Sequence, residues 1–115
     1  MNLNEFSRTN LSRCLRWHPL GLNSWSLSDW GVAMLGEAGE ACNFIKKLNR
    51  VRDGLIGNKG DDADAELLRK KLGKEIADTV IYCDLLAQAA GFNLSDLIAQ
   101  KFNEVSERNG FPERV

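Results

Sequence analysis

The spacing of hydrophobic positions predicts four α-helices and no strand. Apolar residues recur at intervals of three and four within four segments, residues 2–16, 28–51, 61–90 and 93–109. No segment alternates between apolar and polar positions over a useful length, which is the pattern of a half-buried strand. We therefore expect an all-α fold, a four-helix bundle formed by one domain that covers residues 1–115.

Polar and flexible residues mark the ends of these helices. Asn2 or Asn4 is placed to cap the first helix. Residues 61–64, three of them aspartates, are expected to open the third helix, because a negative charge near a helix N-terminus is favoured by the helix dipole. Gly110 ends the fourth helix. Residues 52–60 are rich in glycine but match no nucleotide-binding loop pattern, so we interpret them as a flexible connector or lid.

Two pairs of carboxylates stand inside the second and third helices. Glu37 and Glu40, like Glu75 and Asp78, are three residues apart and so share one helix face. On helical wheels Glu37, Glu75 and Asp78 fall within apolar arcs, and Glu40 falls at the edge of one. The polar side of the third helix is marked by four other residues, Arg69, Lys70, Asp84 and Gln88.

Carboxylates on buried faces need compensation, because an uncompensated buried charge costs several kcal/mol. Salt bridges to lysines such as Lys71 and Lys74, protonation with a raised pKa, and a bound cation are the three solutions. We favour Mg²⁺, with Mn²⁺ as a possible substitute, since a hard cation takes oxygen ligands. A di-iron site or a zinc site requires more histidine or cysteine ligands, and His18 is the only histidine.

The third helix is apolar on nearly all sides after Asp78. A helix of this kind is buried on more than one side. In a chain of 115 residues this predicts a homo-oligomer with the third helix at its centre. The residues concerned are Ile76, Val80, Ile81, Cys83, Leu85, Leu86 and Ala87.

Composition argues against nucleic acid and membranes as binding partners. The net charge of −1 gives no field that would attract nucleic acid or an anionic membrane. No apolar run approaches the roughly 20 residues that span a bilayer, and the N-terminus has no apolar segment typical of a secretory signal. Three cysteines without a CxxC spacing are typical of small buried side chains in a reducing compartment, so we expect a cytoplasmic protein.

Four segments, taken in order, resemble the MazG-like family of all-α nucleoside triphosphate pyrophosphohydrolases. They are residues 36–40, Lys46 and Lys47, residues 75–78 and residues 96–108. The resemblance covers residues 2–112 and implies a homodimer, or a homotetramer built from dimers, in which helices of two subunits complete the core. It also implies Mg²⁺-dependent cleavage of a nucleoside triphosphate to the monophosphate and pyrophosphate. Many members carry a further acid where this chain has Gly36.

The resemblance also assigns roles to individual residues. The metal ligands are Glu37, Glu40, Glu75 and Asp78. Glu37 or Glu40 is the catalytic residue that orients or deprotonates the attacking water. The substrate contacts that it implies are Lys101, Asn103 and Arg108. Lys47, from the matching second segment, and Trp17, from its place at the loop, are further candidates for substrate contact.

Two observations from the wheels and loops qualify the substrate contacts. Lys47 falls on the polar side of the second helix, where a solvated cluster with Lys46 is an alternative. Trp17 and Trp25 lie in or beside a loop and serve either as core anchors or as stacking surfaces for a base. The alternative to an enzyme of nucleotide-pool sanitation or control is a non-catalytic nucleotide-binding or protein-interaction module whose acids form salt bridges.

Overall fold

The computed structural model describes residues 1–115, and its regular structure is entirely helical. Two short 3₁₀ turns, Leu22–Ser24 and Gly60–Ala63, stand in the connections that precede the second and third helices. The predicted all-α class and the number of helices are confirmed. The helices are α1 (Leu3–Trp17), α2 (Leu27–Arg52), α3 (Ala65–Ala89) and α4 (Leu94–Asn109).

Local side-chain chemistry fixes the ends of α1 and α4. The Glu5 backbone N–H donates to Asn2 Oδ1 at 2.8 Å, and the Asn2 N–H donates to Glu5 Oε2 at 3.2 Å. This reciprocal capping box satisfies two backbone donors that the first turn leaves unpaired. At α4, Asn93 Oδ1 accepts from the Asp96 N–H at 2.9 Å. Gly110 ends α4 in the left-handed conformation, with φ of 70°, as its sequence position predicts.

The predicted start of α3 is wrong by one turn. Residues 61–63 belong to the 3₁₀ turn, and α3 begins at Ala65. Asp64 adopts an extended conformation, and its Oδ1 accepts from the N–H groups of Glu66 and Leu67 at 3.1 and 3.2 Å. An aspartate that bonds to backbone donors in this way favours the N-cap over the helix interior. The acidic run therefore precedes α3, and its last member caps the helix.

The chain divides into two compact units, residues 28–83 and residues 1–27 with 84–115. In the first unit, the start of α2 contacts the later part of α3, and the later part of α2 contacts the start of α3. The ring centroids of Trp30 and Tyr82 lie 6.4 Å apart, and further along α2 the Phe44 ring meets the side chain of Lys71. The two helices are therefore antiparallel, and Trp30, at 1% exposure, is among the most buried side chains.

The second unit packs α1 against α4 and the end of α3. Its interior contains Asp84, which is 0% exposed, although the helical wheel placed this residue on the polar side of α3. The wheel was wrong because α1 supplies partners from a distant part of the sequence. Ser7 Oγ donates to Asp84 Oδ1, and Asn10 Nδ2 donates to Asp84 Oδ2 at 2.9 Å. Gln88, one turn along α3, donates to the same Oδ2 at 2.9 Å.

The apolar surface of α3 is only partly covered within one chain. Ile76 is 54% exposed and Val80 is 45% exposed. The oligomer that we expect to cover them stays a prediction. None of the four helices combines the length and the apolar character needed to span a membrane.

The cysteines do not share one environment. Cys14 is buried, which raises the pKa of its thiol, whereas Cys42 is exposed and Cys83 is half-buried. The expectation of three buried thiols is therefore wrong for Cys42. All three are free.

Candidate functional site

Three carboxylates converge between α2 and α3. Glu37 and Glu40 occupy successive turns of α2 on one face, and the antiparallel pairing of the helices brings Glu75 of α3 opposite them. One carboxylate oxygen from each of these residues lies within 4.8 Å of the others. Glu37 and Glu75 are half-buried, whereas Glu40 is exposed. Three of the four metal ligands expected from the sequence are thus brought together.

Asp78, the fourth expected ligand, lies beside this cluster. It follows Glu75 by one turn of α3 and is half-buried, but it is not among the carboxylates within 4.8 Å of one another. Its charge is nevertheless close enough to raise the pKa of Glu37. The structure therefore places Asp78 next to the group of three.

The cluster has no compensating positive charge from its own helices. None of the four carboxylates forms an ion pair with a lysine or arginine of α2, α3 or the segment between them. Lys71 and Lys74, the candidate salt-bridge partners, are not bonded to them. In addition, Glu75 Oε2 is buried and has no hydrogen-bond partner. A buried acceptor in this state costs about 1–3 kcal/mol, and more where the group is charged.

The close approach of the acids raises the pKa of Glu37. The pKa of Glu37 rises from 4.5 to about 7, chiefly through a hydrogen bond with Glu75 that exists only when one of the two is protonated. Burial of Glu37 and the charges of Glu75, Asp78 and Glu40 act in the same direction. Without a cation, Glu37 therefore keeps its proton, hydrogen-bonded to Glu75, up to nearly neutral pH.

The donor set fits a hard divalent cation. Carboxylate oxygens from three side chains are the ligands that Mg²⁺ and Mn²⁺ accept, and no histidine or cysteine takes part. The unpartnered Glu75 Oε2 is an orphaned acceptor that a cation would satisfy. A cation would also replace the proton that Glu37 and Glu75 share, since metal and proton compete for the same oxygens.

Basic side chains occupy the next turn of the same helix pair. Lys47 Nζ lies 5.5 Å from the centroid of the Phe44 ring, and Lys71 Nζ lies 6.0 Å from it. Lys47 also forms an ion pair with Asp62 Oδ2 at 3.1 Å, and its backbone carbonyl accepts from Asn58 Nδ2 at 2.8 Å. These contacts leave the Lys47 side chain only 22% exposed. The wheel puts Lys47 on the polar side of α2, yet the side chain is largely covered because the segment after α2 folds back onto it.

The candidate substrate contacts on α4 have other partners. Lys101 Nζ forms an ion pair with Glu104 Oε1 at 2.9 Å. The Asn103 side chain donates to the Val115 carbonyl at 3.0 Å and accepts from the Val115 N–H at 2.9 Å. Arg108 is exposed, and its charge helps to lower the pKa of Glu104. A substrate role for Asn103 therefore requires release of its hydrogen bonds with Val115.

The aromatic candidates are accessible to different degrees. Trp17 ends α1 and is 70% exposed, and the Arg13 guanidinium lies 5.7 Å from its ring centroid. Trp25 stacks edge-on against His18, with ring centroids 4.6 Å apart. Trp17 is thus no core anchor within this chain, and its exposure is compatible with the predicted contact to a base.

Three residues of interest escaped the sequence-based assignment, and a signal for two of them was present. Lys71 precedes Glu75 by four residues and Phe44 follows Glu40 by four, so helical spacing alone puts them on the carboxylate face. Asp84 had no such signal, because its donors Ser7 and Asn10 lie more than 70 residues away in the sequence.

Comparisons with known proteins were made at the level of family, sequence and structure. No protein-family model, no curated protein and no solved structure matches this chain. The functional proposal therefore depends on the geometry of the carboxylate cluster and on the resemblance of the four sequence segments to the MazG-like family.

Proposed function

We propose that the chain is a Mg²⁺-dependent nucleoside triphosphate pyrophosphohydrolase of the MazG-like kind. It hydrolyses a (deoxy)nucleoside triphosphate to the monophosphate and pyrophosphate, in sanitation or control of the nucleotide pool. The observation that carries this proposal is the cluster of Glu37, Glu40 and Glu75, whose oxygens lie within 4.8 Å without a positively charged partner from α2 or α3. The ordered sequence resemblance, which includes these residues and also residues 96–108, supports it as well.

Each acid has a defined part in this proposal. Glu37, Glu40 and Glu75 hold the cation, and Asp78 supports them from the next turn of α3. When bound, the cation supplies charge neutralisation of the phosphates and lowers the pKa of water. Glu37 or Glu40 accepts a proton from the water that attacks the α-phosphorus. The bond from that phosphorus to the bridging oxygen breaks, and pyrophosphate leaves with the bond electrons.

The proposed assembly follows from the uncovered apolar surface of α3. Ile76 and Val80 are each about half exposed in the single chain. A second copy that covers them would complete a MazG-like helical bundle as a dimer, or as a tetramer built from dimers. We propose this assembly, with a cytoplasmic location and no nucleic-acid or membrane partner, as the setting in which the enzyme acts.

A screen of standard and modified (d)NTPs for released pyrophosphate tests the activity. Glu40→Gln should keep the helical fold and reduce the rate of hydrolysis at least about 100-fold. A general base at the reacting atoms typically contributes two or more orders of magnitude to the rate. Glu66→Gln, an exposed change on α3, is the matched control and should hydrolyse at the wild-type rate. Hydrolysis by Glu40→Gln at the wild-type rate would overturn the catalytic assignment.

Thermal melting with and without Mg²⁺ separates an enzyme from a non-catalytic module. Binding to the folded state alone should stabilise the protein by about 2.7 kcal/mol when Mg²⁺ is 100-fold above its Kd. Glu75→Gln should lose most of this shift, because it removes a ligand charge. An unchanged melting temperature in the wild-type protein would favour a module that binds no cation.

A further inference from the structure

The face that carries the carboxylate cluster continues into a basic end. On α2, Phe44 follows Glu40 by one turn and Lys47 follows Phe44 by a further turn. On α3, Lys71 precedes Glu75 by one turn. The two ammonium groups approach the same aromatic ring, at 5.5 Å for Lys47 and 6.0 Å for Lys71. The charge on this face therefore changes from negative to positive over about 6 Å, the rise of four helical residues.

Lys71 forms no ion pair with an acidic residue. Glu75 lies four residues further along α3, at a spacing that commonly forms ion pairs, yet no ion pair joins the two. The neighbouring Lys70 does form such a pair, with Glu66 at 3.6 Å. Lys71 is half-buried and lies over the ring of Phe44, which attracts its charge.

Lys47 supplies the second positive charge. Its ion pair with Asp62 at 3.1 Å fixes the side chain but does not exhaust it, since an ammonium group has three donors. Asp62 pairs with Lys47 alone, so the basic end, with two ammonium groups and one carboxylate, keeps a net positive charge. Two like charges held at one ring are stabilised by an additional anion, and a phosphate group is an anion that lysine binds readily as a point charge.

We infer that Lys71 and Lys47 bind the distal phosphates of a polyphosphate chain whose other end lies at the carboxylate cluster. This inference rests on the proposed function and specifies its substrate class, because it makes the two lysines the residues that select a triphosphate over a monophosphate. The order of charges in the ligand complements that on the face, with a divalent cation at the acidic end and phosphate charge at the basic end. Phe44 acts as a positioning residue that holds both ammonium groups on this face.

Calorimetric titration of the full chain with inorganic tripolyphosphate in the presence of Mg²⁺ tests the inference. Lys71→Met keeps the aliphatic stem against Phe44 and removes the charge, so binding should weaken at least about tenfold. Lys70→Met is the matched control, since its side chain is 69% exposed and already paired, and it should stay within about twofold of the wild type. Lys71→Arg should retain most of the affinity.

The outcomes separate this inference from the proposed function. Equal loss in Lys71→Met and Lys70→Met would show a general charge effect, and no loss in either would show that Lys71 only covers Phe44. Both results overturn the inference, as does a wild-type protein that binds no tripolyphosphate. Hydrolysis of nucleotides by the wild type would then still support the proposed activity. Conversely, selective loss in Lys71→Met without any nucleotide hydrolysis would support the polyphosphate site and remove the proposed activity.

Discussion

Two acidic residues of α3, Asp84 and Glu75, have opposite hydrogen-bonding environments. Asp84 is 0% exposed and accepts hydrogen bonds from the side chains of Ser7, Asn10 and Gln88. Glu75, nine residues earlier on the same helix, has a buried oxygen without any donor and lies against other carboxylates. One acid is fully compensated by its own chain, and the other is not.

This difference indicates which acid serves the fold and which awaits a ligand. A carboxylate with three donors is stabilised in its charged form, and an added cation has little left to satisfy. A carboxylate that lacks donors and faces like charges raises the free energy of the folded state until a cation or a proton arrives. The deeper acid is therefore the structural one, and the less buried group is the candidate site.

The largest expected effect on stability is that of removing the Asp84 carboxylate, whose oxygens accept hydrogen bonds from three side chains. Asp84→Ala leaves buried donors of Ser7, Asn10 and Gln88 without their acceptor, and each orphaned donor costs about 1–3 kcal/mol. We expect a loss of about 3 kcal/mol or more in the free energy of unfolding, measured with urea. Asp84→Asn, which keeps one acceptor oxygen, should lose less. A loss below about 1 kcal/mol in Asp84→Ala would contradict the structural role.

A smaller effect of opposite sign is expected at the uncompensated acid. Glu75→Gln removes one charge from the cluster, and its amide can donate to Glu37, so the metal-free protein should gain about 1 kcal/mol in the same urea measurement. The pKa of Glu37 should also fall, because the hydrogen bond with the Glu75 carboxyl is the chief cause of its rise. Destabilisation of the metal-free protein by Glu75→Gln would show that the cluster is a satisfied network like that of Asp84.

The helices and the acidic cluster could be predicted because their signals are local. Asn2 and Asn93 cap helices through residues three positions away, and the spacing of Glu37 and Glu40 places them on one face. A wheel describes one helix at a time, however, and treats a polar residue as exposed. It could not find the donors that bury Asp84, since Ser7 lies 77 residues away.

The same limit explains the errors at Lys47 and at the start of α3. Lys47 is covered by Asn58 and Asp62 from the segment after α2, which no wheel of α2 contains. Before α3, three aspartates, Asp61, Asp62 and Asp64, are all suited to a helix N-terminus. The residue that caps the helix is the one whose carboxylate reaches the backbone N–H groups of the first turn. Asp64 does so, and the helix therefore begins later than the composition indicates.

The smallest expected effect is a dependence of stability on pH that belongs to Glu37. Its pKa is about 7 in the folded chain and ordinarily 4.5, so between these values the folded state binds more protons than the unfolded state. The metal-free protein should therefore lose stability as the pH rises from about 4.5 to about 7 and change no further above it.

Water screens part of the repulsion at a half-buried group, so the loss should be below about 1 kcal/mol. Urea unfolding of wild type and Glu37→Gln between pH 5 and pH 8 isolates it, because only the wild type should show this slope. The lowered pKa values of Asp53 and Glu104 act at more acidic pH and cancel in the difference. Saturating Mg²⁺ should abolish or reverse the wild-type slope, since a cation replaces the shared proton. Identical slopes in both proteins would mean that Glu37 does not hold a proton against Glu75. The contrast with Asp84 would then depend only on the unpartnered oxygen of Glu75.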